Sequence, residues 1–305
     1  MRTEPAYRAL FDAGVLQQRA QEAQRRLADC ALCPRGCRVN RFVEATGFCR
    51  SGSLPVVCAW HPHFGEEQPL VGSRGSGTIF FGSCNLGCVF CQNWTTSRLI
   101  EADEMVPEGL ARVMLALERR GCHNINLVTP THMVPAILAA LVIAASAGLS
   151  IPLVYNTSGY DSVETLALLD GVVDIYMPDI KFMRAEPAAR YAGAPDYPQV
   201  VRAAVKEMHR QVGDLALDSE GIAVRGLIVR HLVMPGGLPD AVEVCRFLST
   251  EISKDTYLNL MDQYRPCGEA YRFPEISHPP TRAEYASAAA AAREWGLARL
   301  HGARS

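Results

Sequence analysis

Short apolar runs alternate with segments of helical periodicity from residue 78 onward. The strand candidates are residues 78–81, 125–128, 152–156, 175–177, 227–234 and 257–261. The intervals between them are long enough for crossover helices. Continuous strands rich in Val, Ile and Leu, separated by helices, are typical of a parallel sheet that is covered on its faces. The pattern therefore predicts an α/β fold, and six such units suggest a barrel or partial barrel.

The pattern divides the rest of the chain into smaller parts. Residues 6–28 are amphipathic with helical spacing, which predicts a packing helix. Residues 30–52 combine cysteines with glycine and proline, a composition that suits loops stapled by something other than a hydrophobic core. We expect an N-terminal helix with a four-cysteine metal-binding module (1–55), a Gly/Pro-rich linker (56–77), a core domain (78–275) and a C-terminal helix (276–305).

The composition limits which classes of binding partner and which cellular compartment the sequence predicts. Charged residues make up 20% of the chain and the formal net charge is -2, so no basic excess favours nucleic acid or an anionic membrane. The first residues lack a secretory signal, which predicts a cytoplasmic protein whose eleven cysteines bind metal rather than form disulfides. Residues 133–155 carry no charge, yet their Pro and Gly residues predict a buried helix, turn and strand rather than a membrane span.

The segment Cys84-Asn-Leu-Gly-Cys88-Val-Phe-Cys91 places three thiols directly after the first core strand. A four-iron, four-sulfur cluster normally takes four cysteines, so three close ligands leave one iron open to a small molecule. The alternative is a zinc ion completed by a distant His or by one of the isolated cysteines. Structural zinc ligands usually come as C-x-x-C pairs, which favours the cluster.

Polar residues directly follow the later apolar runs. Thr129, Asn156, Ser158, Asp179 and Lys181 come at or just beyond the ends of three predicted strands. Binding sites of parallel sheets gather at the carboxyl ends of the strands. We therefore expect these side chains to share one site with the three cysteines.

The cysteine spacing, the preceding strand and Phe90 just before the third cysteine resemble the radical S-adenosylmethionine (radical SAM) superfamily over residues 76–275. The resemblance implies a partial (β/α)6 barrel and a cluster whose open iron is chelated by the methionyl group of SAM. It also implies that an electron from the cluster cleaves SAM to a 5′-deoxyadenosyl radical, which abstracts hydrogen from a substrate. The cofactor carries the difficult chemistry and the protein positions it.

Within this superfamily the chain resembles relatives of the pyruvate formate-lyase activating enzyme, specifically their PflX-like branch. The motifs that carry this likeness are Gly65-Glu-Glu67, Gly75-Ser-Gly-Thr-Ile-Phe-Phe81, Cys91-Gln-Asn93, Val128-Thr-Pro-Thr-His132, Pro178-Asp-Ile-Lys181 and Met261-Asp-Gln-Tyr264.

The resemblance implies roles for individual residues around SAM. Asp179 and Lys181 match a pair near its methionyl and ribose groups, and Asn156 and Ser158 match ribose contacts. Arg230 is a candidate for the methionyl carboxylate, because a guanidinium suits that planar group.

The chain departs from the activases after the second core strand, where Thr129-Pro-Thr131-His132 stands in place of Gly-Gly-Glu. Thr129 or the local backbone then becomes the candidate contact for the methionyl amino group. His132 either faces the substrate or caps the next helix.

A second set of cysteines, Cys30, Cys33, Cys37 and Cys49, provides enough thiolates to close a metal site. Zinc and an auxiliary cluster both accept four thiolates, and the sequence favours zinc slightly. Elsewhere, the loop with His61, His63, Glu66 and Glu67 is either a metal site or a segment that closes over the active site.

These features predict a radical SAM enzyme that takes hydrogen from a substrate, as a glycyl-radical activase would. Modification of a small molecule or of another protein fits the same residues. By the resemblance, the enzyme needs an electron donor such as flavodoxin or ferredoxin and has a protein as a possible substrate. The rival hypothesis is a non-catalytic iron–sulfur or zinc protein, which would leave the polar strand ends without a purpose.

Overall fold

The computed structural model describes residues 4–44, 46–98 and 102–301. The strands within these residues are β1 (Val57–His63), β2 (Ser76–Phe81), β3 (Ile125–Val128), β4 (Leu153–Thr157), β5 (Ile175–Pro178), β6 (Ala216–Leu217), β7 (Ala223–Leu232), β8 (Tyr257–Met261) and β9 (Leu300–His301). The α-helices are α1 (Ala6–Asp12), α2 (Val15–Arg25), α3 (Gln68–Val71), α4 (Trp94–Arg98), α5 (Pro107–Arg119), α6 (Val134–Ser146), α7 (Val163–Leu166), α8 (Ala185–Ala192), α9 (Tyr197–Val212), α10 (Leu238–Phe247) and α11 (Arg282–Glu294).

The sheet is mostly parallel, as the apolar runs predict. Its strand order is β1-β2-β3-β4-β5-β7-β8-β9, and every neighbouring pair from β2 onward is parallel. Strand β1 pairs antiparallel with β2, and the short β6 pairs antiparallel with β7. The six predicted strands correspond to β2, β3, β4, β5, β7 and β8, so the α/β class is confirmed.

Helix α6 is apolar on nearly every side because it is covered by other helices. It packs against α5 and against the N-terminal helix α2. Helix α6, the turn after it and most of β4 make up the uncharged stretch 133–155, and most residues of this helix and strand are buried in the fold. Among the described residues, no helix is long and apolar enough to cross a membrane.

The segment 56–77 is more ordered than the predicted linker. It contains β1 and the short helix α3, and β1 extends the sheet beyond β2. Strand β1 lies at an edge and is only partly buried, so its sequence lacks a continuous apolar run. The predicted start of the core domain at residue 78 therefore falls inside β2, and the sheet already begins with β1.

The two terminal helices also differ from their predictions. The N-terminal segment forms two helices, because Gly14 between them has a φ of 72°. At the C-terminus, helix α11 ends at Glu294 and the chain then adds β9 beside β8. The capping box formed by Thr281 and Glu284 explains why α11 begins at Arg282 rather than earlier.

Candidate active site

The loop that carries Cys84, Cys88 and Cys91 leaves the carboxyl end of β2. Ser83 turns the chain with a φ of 71°, and the Leu86 N–H donates to the Cys84 Sγ at 3.3 Å. The backbone N–H of Val89 donates to the Tyr191 carbonyl at 2.9 Å, which ties the loop to α8. The three thiols therefore lie on a loop that is anchored to its surroundings.

Every site residue predicted around the cluster and SAM lines one cavity of about 400 Å³. The cavity lies at the carboxyl ends of the parallel strands. The predicted residues in its wall are Cys84, Cys88, Phe90, Cys91, Thr129, Asn156, Ser158, Asp179, Lys181 and Arg230. The expected convergence of strand-end side chains is what the structure shows.

Asp179 and Lys181 form an ion pair in the wall of this cavity. The Lys181 Nζ lies 2.6 Å from the Asp179 Oδ2, with the two side chains 17% and 24% exposed. Burial acts to lower the pKa of Lys181, but the Asp179 carboxylate outweighs it and holds that pKa above its ordinary value. Lys181 therefore remains a cation throughout the physiological range.

The hydroxyl of Tyr197 links the two strand ends that carry these groups. It lies 2.7 Å from the Ser158 carbonyl oxygen and accepts the Lys181 backbone N–H at 3.0 Å. Tyr197 is fully buried on α9. Nothing in its local sequence signals this role, because the contact joins segments that are distant along the chain.

Two buried oxygens in the cavity wall have no partner within the described part of the chain. They are the Ser158 Oγ and the Asp179 Oδ1. A buried polar atom without a hydrogen bond is costly, and such atoms mark places where a ligand or water completes the bonding. Hydroxyl and amino groups, such as those of SAM, have the chemistry to satisfy them, so the donor set fits this cofactor.

The three cysteines line one cavity, and as thiolates they have the chemistry to hold a cluster with an open iron. Burial raises the pKa of the Cys84 thiol to about 11 and of the Cys88 thiol to about 12, while Lys181 acts in the opposite direction on both. Cluster loading must therefore displace protons from these thiols. No group of three or more His, Cys, Asp or Glu side chains in the described residues forms a ready site for a metal ion.

Arg230 is held by carboxylates of the protein in the wall of the cavity. It lines the cavity, but its Nε and Nη2 each donate to the Glu67 carboxylate at 2.7 Å, and Nη2 also pairs with Glu66. The Asn259 amide adds a bond to Glu67 at 2.7 Å. Two of the three guanidinium nitrogens are thus bound to carboxylates of the protein, and the contact of Arg230 with the methionyl carboxylate stays a prediction.

The contacts of Glu66 show how the loop that follows β1 is attached to the sheet. Glu66 accepts the Asn126 amide of β3 at 3.0 Å, and it lines the cavity beside His63. His61 stacks on Phe80 at a centroid distance of 5.6 Å. Glu66 and His63 thus line the cavity, and the His63 ring contacts both His61 and Phe80.

Of the two candidate residues that follow β3, one lines the cavity and the other does not. Thr129 has a φ of 60° and lines the cavity, whereas His132 is buried outside it. The His132 Nε2 lies 2.9 Å from the Gly82 carbonyl oxygen. Burial lowers the pKa of His132 to about 4, so the ring is neutral and donates this bond. His132 supports the start of the cysteine loop instead of facing substrate.

Two further cavity residues had no recognisable sequence signal. Ser97 Oγ donates to the Cys91 Sγ at 3.4 Å, and the Arg98 guanidinium donates to the Leu86 carbonyl at 3.2 Å. Both lie on α4, which follows the cysteine loop directly. Their proximity to the cysteines in sequence is the only feature that could have suggested them.

Gly159 offers a test of how tightly the site is built. It follows Ser158 with a φ of 77°, and an added Cβ would lie 2.6 Å from the Asp179 carbonyl oxygen. We expect Gly159→Ala to lower the free energy of unfolding by about 1–3 kcal/mol more than Gly148→Ala. Gly148 is the matched control, because its φ is 95° and an added Cβ meets nothing within 4 Å. Equal losses in urea unfolding would show that the strand ends are not closely packed.

Comparison with known proteins agrees with this arrangement. The sequence profile of the Radical SAM superfamily matches residues 78–218. The chain is 32% identical over 294 residues to the uncharacterized protein MJ0674 of Methanocaldococcus jannaschii, covering 93% of this chain and 80% of that protein. It is 26% identical over 281 residues to the uncharacterized protein MJ0808 of the same organism, covering 84% and 74%.

A solved structure shares the fold. It is a radical SAM methyltransferase from Sphaerobacter thermophilus, with a TM-score of 0.52 and 16% identity. The match covers 73% of this chain and 65% of that one, less than two thirds of its length. Together with the three cysteines that follow β2 and share a cavity with the strand ends, these matches place the chain in the radical SAM superfamily.

Proposed function

We propose that this protein cleaves SAM reductively at a four-iron, four-sulfur cluster held by Cys84, Cys88 and Cys91, and uses the product to take hydrogen from a substrate. One observation carries the proposal. The three thiols share a single cavity with strand-end polar groups, two of whose oxygens lack partners within the described residues. A non-catalytic metalloprotein would have no use for that cavity.

A cluster held by Cys84, Cys88 and Cys91 would supply the electron for cleavage of a carbon–sulfur bond of SAM, with methionine and a 5′-deoxyadenosyl radical as products, and the radical would take a hydrogen atom from the substrate. The protein's own groups hold and shield the reactants. Asp179 and Ser158 offer acceptors, and Lys181 keeps the Asp179 carboxylate oriented. Phe90 is 4% exposed and packs against Phe182 and Tyr264, so it shields one side of the cysteine loop from water.

The substrate class is proposed from the closer resemblance. The motifs shared with the PflX-like branch favour hydrogen abstraction from a protein backbone, as in activation of a glycyl-radical enzyme. Such an enzyme would draw its electron from a flavodoxin or ferredoxin. The solved methyltransferase shares only the fold, at 16% identity. Its named activity indicates that this fold also serves other reactions and substrates.

We also propose that the sheet curves into the partial (β/α)6 barrel of the superfamily. Glu66 supports this, because its carboxylate contacts Asn126 on β3 and Arg230 on β7. Strands β4 and β5 lie between these two in the sheet. A side chain that reaches both strands is favoured when their inner faces turn toward each other.

The direct test is anaerobic reconstitution with iron and sulfide, followed by incubation with SAM and dithionite. We expect 5′-deoxyadenosine and methionine to form in the complete mixture and not without dithionite. A loaded cluster that yields no 5′-deoxyadenosine, even with candidate protein substrates present, would refute the proposal.

Lys181→Met provides a test of the SAM contacts. The substitution leaves the Asp179 carboxylate in the cavity wall without its cation, so we expect the Kd for SAM to rise about tenfold or more. Isothermal titration of the cluster-loaded protein measures this. Lys206→Met is the matched control, because Lys206 pairs with Glu251 on the surface of α9 at 2.7 Å. A Kd within about twofold of wild type for both variants would remove Lys181 from the SAM site.

A further inference from the structure

The N-terminal cysteines converge on a second cavity that shares no lining residue with the first. Cys30, Cys33, Cys37 and Cys49 line this cavity, whose volume is about 10 Å³. We propose that these four thiolates bind a thiophilic metal centre, and that the centre fixes the loop carrying Cys84. Four protein ligands leave no open coordination position, so the centre is structural or electron-transferring rather than catalytic.

The segment around these cysteines lacks the means to fold by itself. Among its described residues, those between Arg25 and Val57 form no helix or strand. Its buried apolar residues are a small cluster of Leu27, Cys30 and Leu32 with Val39 beside it. Ordering a residue costs about 1–2 kcal/mol, which so small a cluster does not offset. Small modules of this kind are commonly held by a metal or by disulfides.

The backbone turns bring the thiols to one side. The Cys30 N–H donates to the Val39 carbonyl at 3.0 Å, and the Arg38 N–H donates to the Cys30 carbonyl at 2.9 Å. The Gly36 N–H closes a turn onto the Cys33 carbonyl at 3.0 Å. These bonds set Cys30 beside the turn that joins Cys33 to Cys37, which explains how three ligands from one loop reach a common cavity.

Polar groups around the cavity suit an anionic centre. The Phe48 N–H donates a hydrogen bond to the Cys37 Sγ at 3.3 Å, and a thiolate sulfur readily accepts such a bond. Arg41 also lines the cavity and is only 3% exposed. Its guanidinium donates to the carbonyl oxygens of Ser51, Gly52 and His132, which are neutral acceptors. Four thiolates around a divalent ion carry a net negative charge, and a buried guanidinium compensates it.

The free thiols must still close on the metal. No group of three or more His, Cys, Asp or Glu side chains in the described residues already forms an ion site. Cysteine needs only rotation about its Cα–Cβ bond to redirect its sulfur, and metal binding supplies the driving force. A single ion and a small cluster both meet this description, and analysis of metal and acid-labile sulfide separates them.

A direct contact joins this module to the active-site loop. Arg35 lies between Cys33 and Cys37, and its Nε donates to the Asn85 carbonyl at 3.0 Å. Asn85 is the residue after Cys84. The Arg35 guanidinium also lies 3.8 Å from the centre of the Phe48 ring, so the residue next to Cys49 helps to hold it in place.

A second connection passes through His132. Arg41 Nη1 donates to the His132 carbonyl at 2.7 Å, and the His132 ring donates to the Gly82 carbonyl at 2.9 Å. Gly82 lies two residues before Cys84. The module therefore supports the cysteine loop on both sides of its first cluster ligand, and Arg35 and His132 act as positioning residues.

The test uses the full chain with the active-site cysteines removed. In the Cys84→Ala/Cys88→Ala/Cys91→Ala variant, we expect about one zinc or cobalt ion per chain, or iron with matching acid-labile sulfide. Metal analysis and the thiolate-to-cobalt absorption bands measure this. Zinc or cobalt without sulfide identifies a single ion, and iron with sulfide identifies a cluster.

Control variants separate this site from incidental thiols. Cys33→Ser in the triple-variant background should lose the metal, whereas Cys122→Ser, at an isolated buried cysteine, should keep it. If the triple variant does not fold, the same analysis on wild type counts metal beyond that of the active-site cluster. A chain that binds no metal beyond that cluster, or a Cys33→Ser variant that keeps it, overturns the proposal.

Arg35→Ala tests the connection to the active site separately. We expect the second centre to load normally while the active-site cysteines lose iron to a chelator about tenfold more readily. Arg38→Ala is the matched control, because Arg38 is exposed and pairs with Asp29 at 2.7 Å. Unchanged iron retention in Arg35→Ala would show that the module does not support the loop.

Discussion

Cys88→Ala is expected to abolish formation of 5′-deoxyadenosine. Cys88 is the central of the three thiols, is 8% exposed, and lies beside the Asp179–Lys181 pair in the cavity. Loss of a residue that only supports a metal ligand typically costs about 10- to 100-fold in affinity or activity, and loss of a ligand costs more. We expect at least about a hundredfold less product together with a loss of cluster iron.

The matched control is Cys122→Ala. Cys122 is also buried, but it precedes β3 at the other end of the strands and does not line the cavity. We expect this variant to keep its cluster and its product. If Cys88→Ala retains both an intact cluster and product formation, the assignment of the three cysteines is wrong.

Arg230→Met is expected to have the largest effect on stability. Arg230, Glu66 and Glu67 have side-chain exposures of 13%, 9% and 0%, so the substitution leaves two carboxylates enclosed without their cation. Removing one partner of a buried ion pair costs about 3–5 kcal/mol. We expect a loss of that size in the free energy of unfolding, measured by urea denaturation. Arg246→Met should change it little, because Arg246 and Glu243 are each 37% exposed.

The same network predicts how stability depends on pH. Burial by itself raises the pKa of Glu67, but Arg230 and the hydrogen bonds to the carboxylate outweigh it and lower the pKa to about 2. An unfolded glutamate titrates near a pKa of about 4.3, so the unfolded chain binds this proton first as the pH falls. The stabilisation by Glu67 is present above that value and is lost as the pH falls toward 2. An Arg230→Met protein whose stability and acid sensitivity match wild type would refute the role of the network.

Much of the fold was predictable because each core strand is marked locally. Continuous apolar runs correctly located the strands from β2 to β8, except for β6, and the polar residues after them correctly marked the cavity wall. Strands β1 and β9 were missed because they are partly exposed edge segments, and β6 and β9 have only two residues each. A short, half-exposed strand carries too few apolar positions to stand out from a loop.

The sequence predicted which residues line the cavity but not the contacts that they make with one another. Arg230 resembles a ligand-binding position. In the structure it pairs with Glu66 and Glu67, which lie 164 and 163 residues earlier in the chain. The buried hydroxyl of Tyr197 and the Gly82 contact of His132 likewise depend on long-range packing. Local spacing identifies which residues can do chemistry, whereas the three-dimensional fold decides which of them are already committed to one another.

The most direct measurement of the central claim is the electron paramagnetic resonance spectrum of the reduced wild-type protein with and without SAM. Binding of the methionyl group to an open iron would change the ligand field of the cluster. We therefore expect the g values of the signal to shift when SAM is added, and the shift to be absent with a control nucleoside such as adenosine. A reduced cluster whose spectrum is the same with and without saturating SAM would contradict the assignment of Cys84, Cys88 and Cys91 as a SAM-binding cluster site.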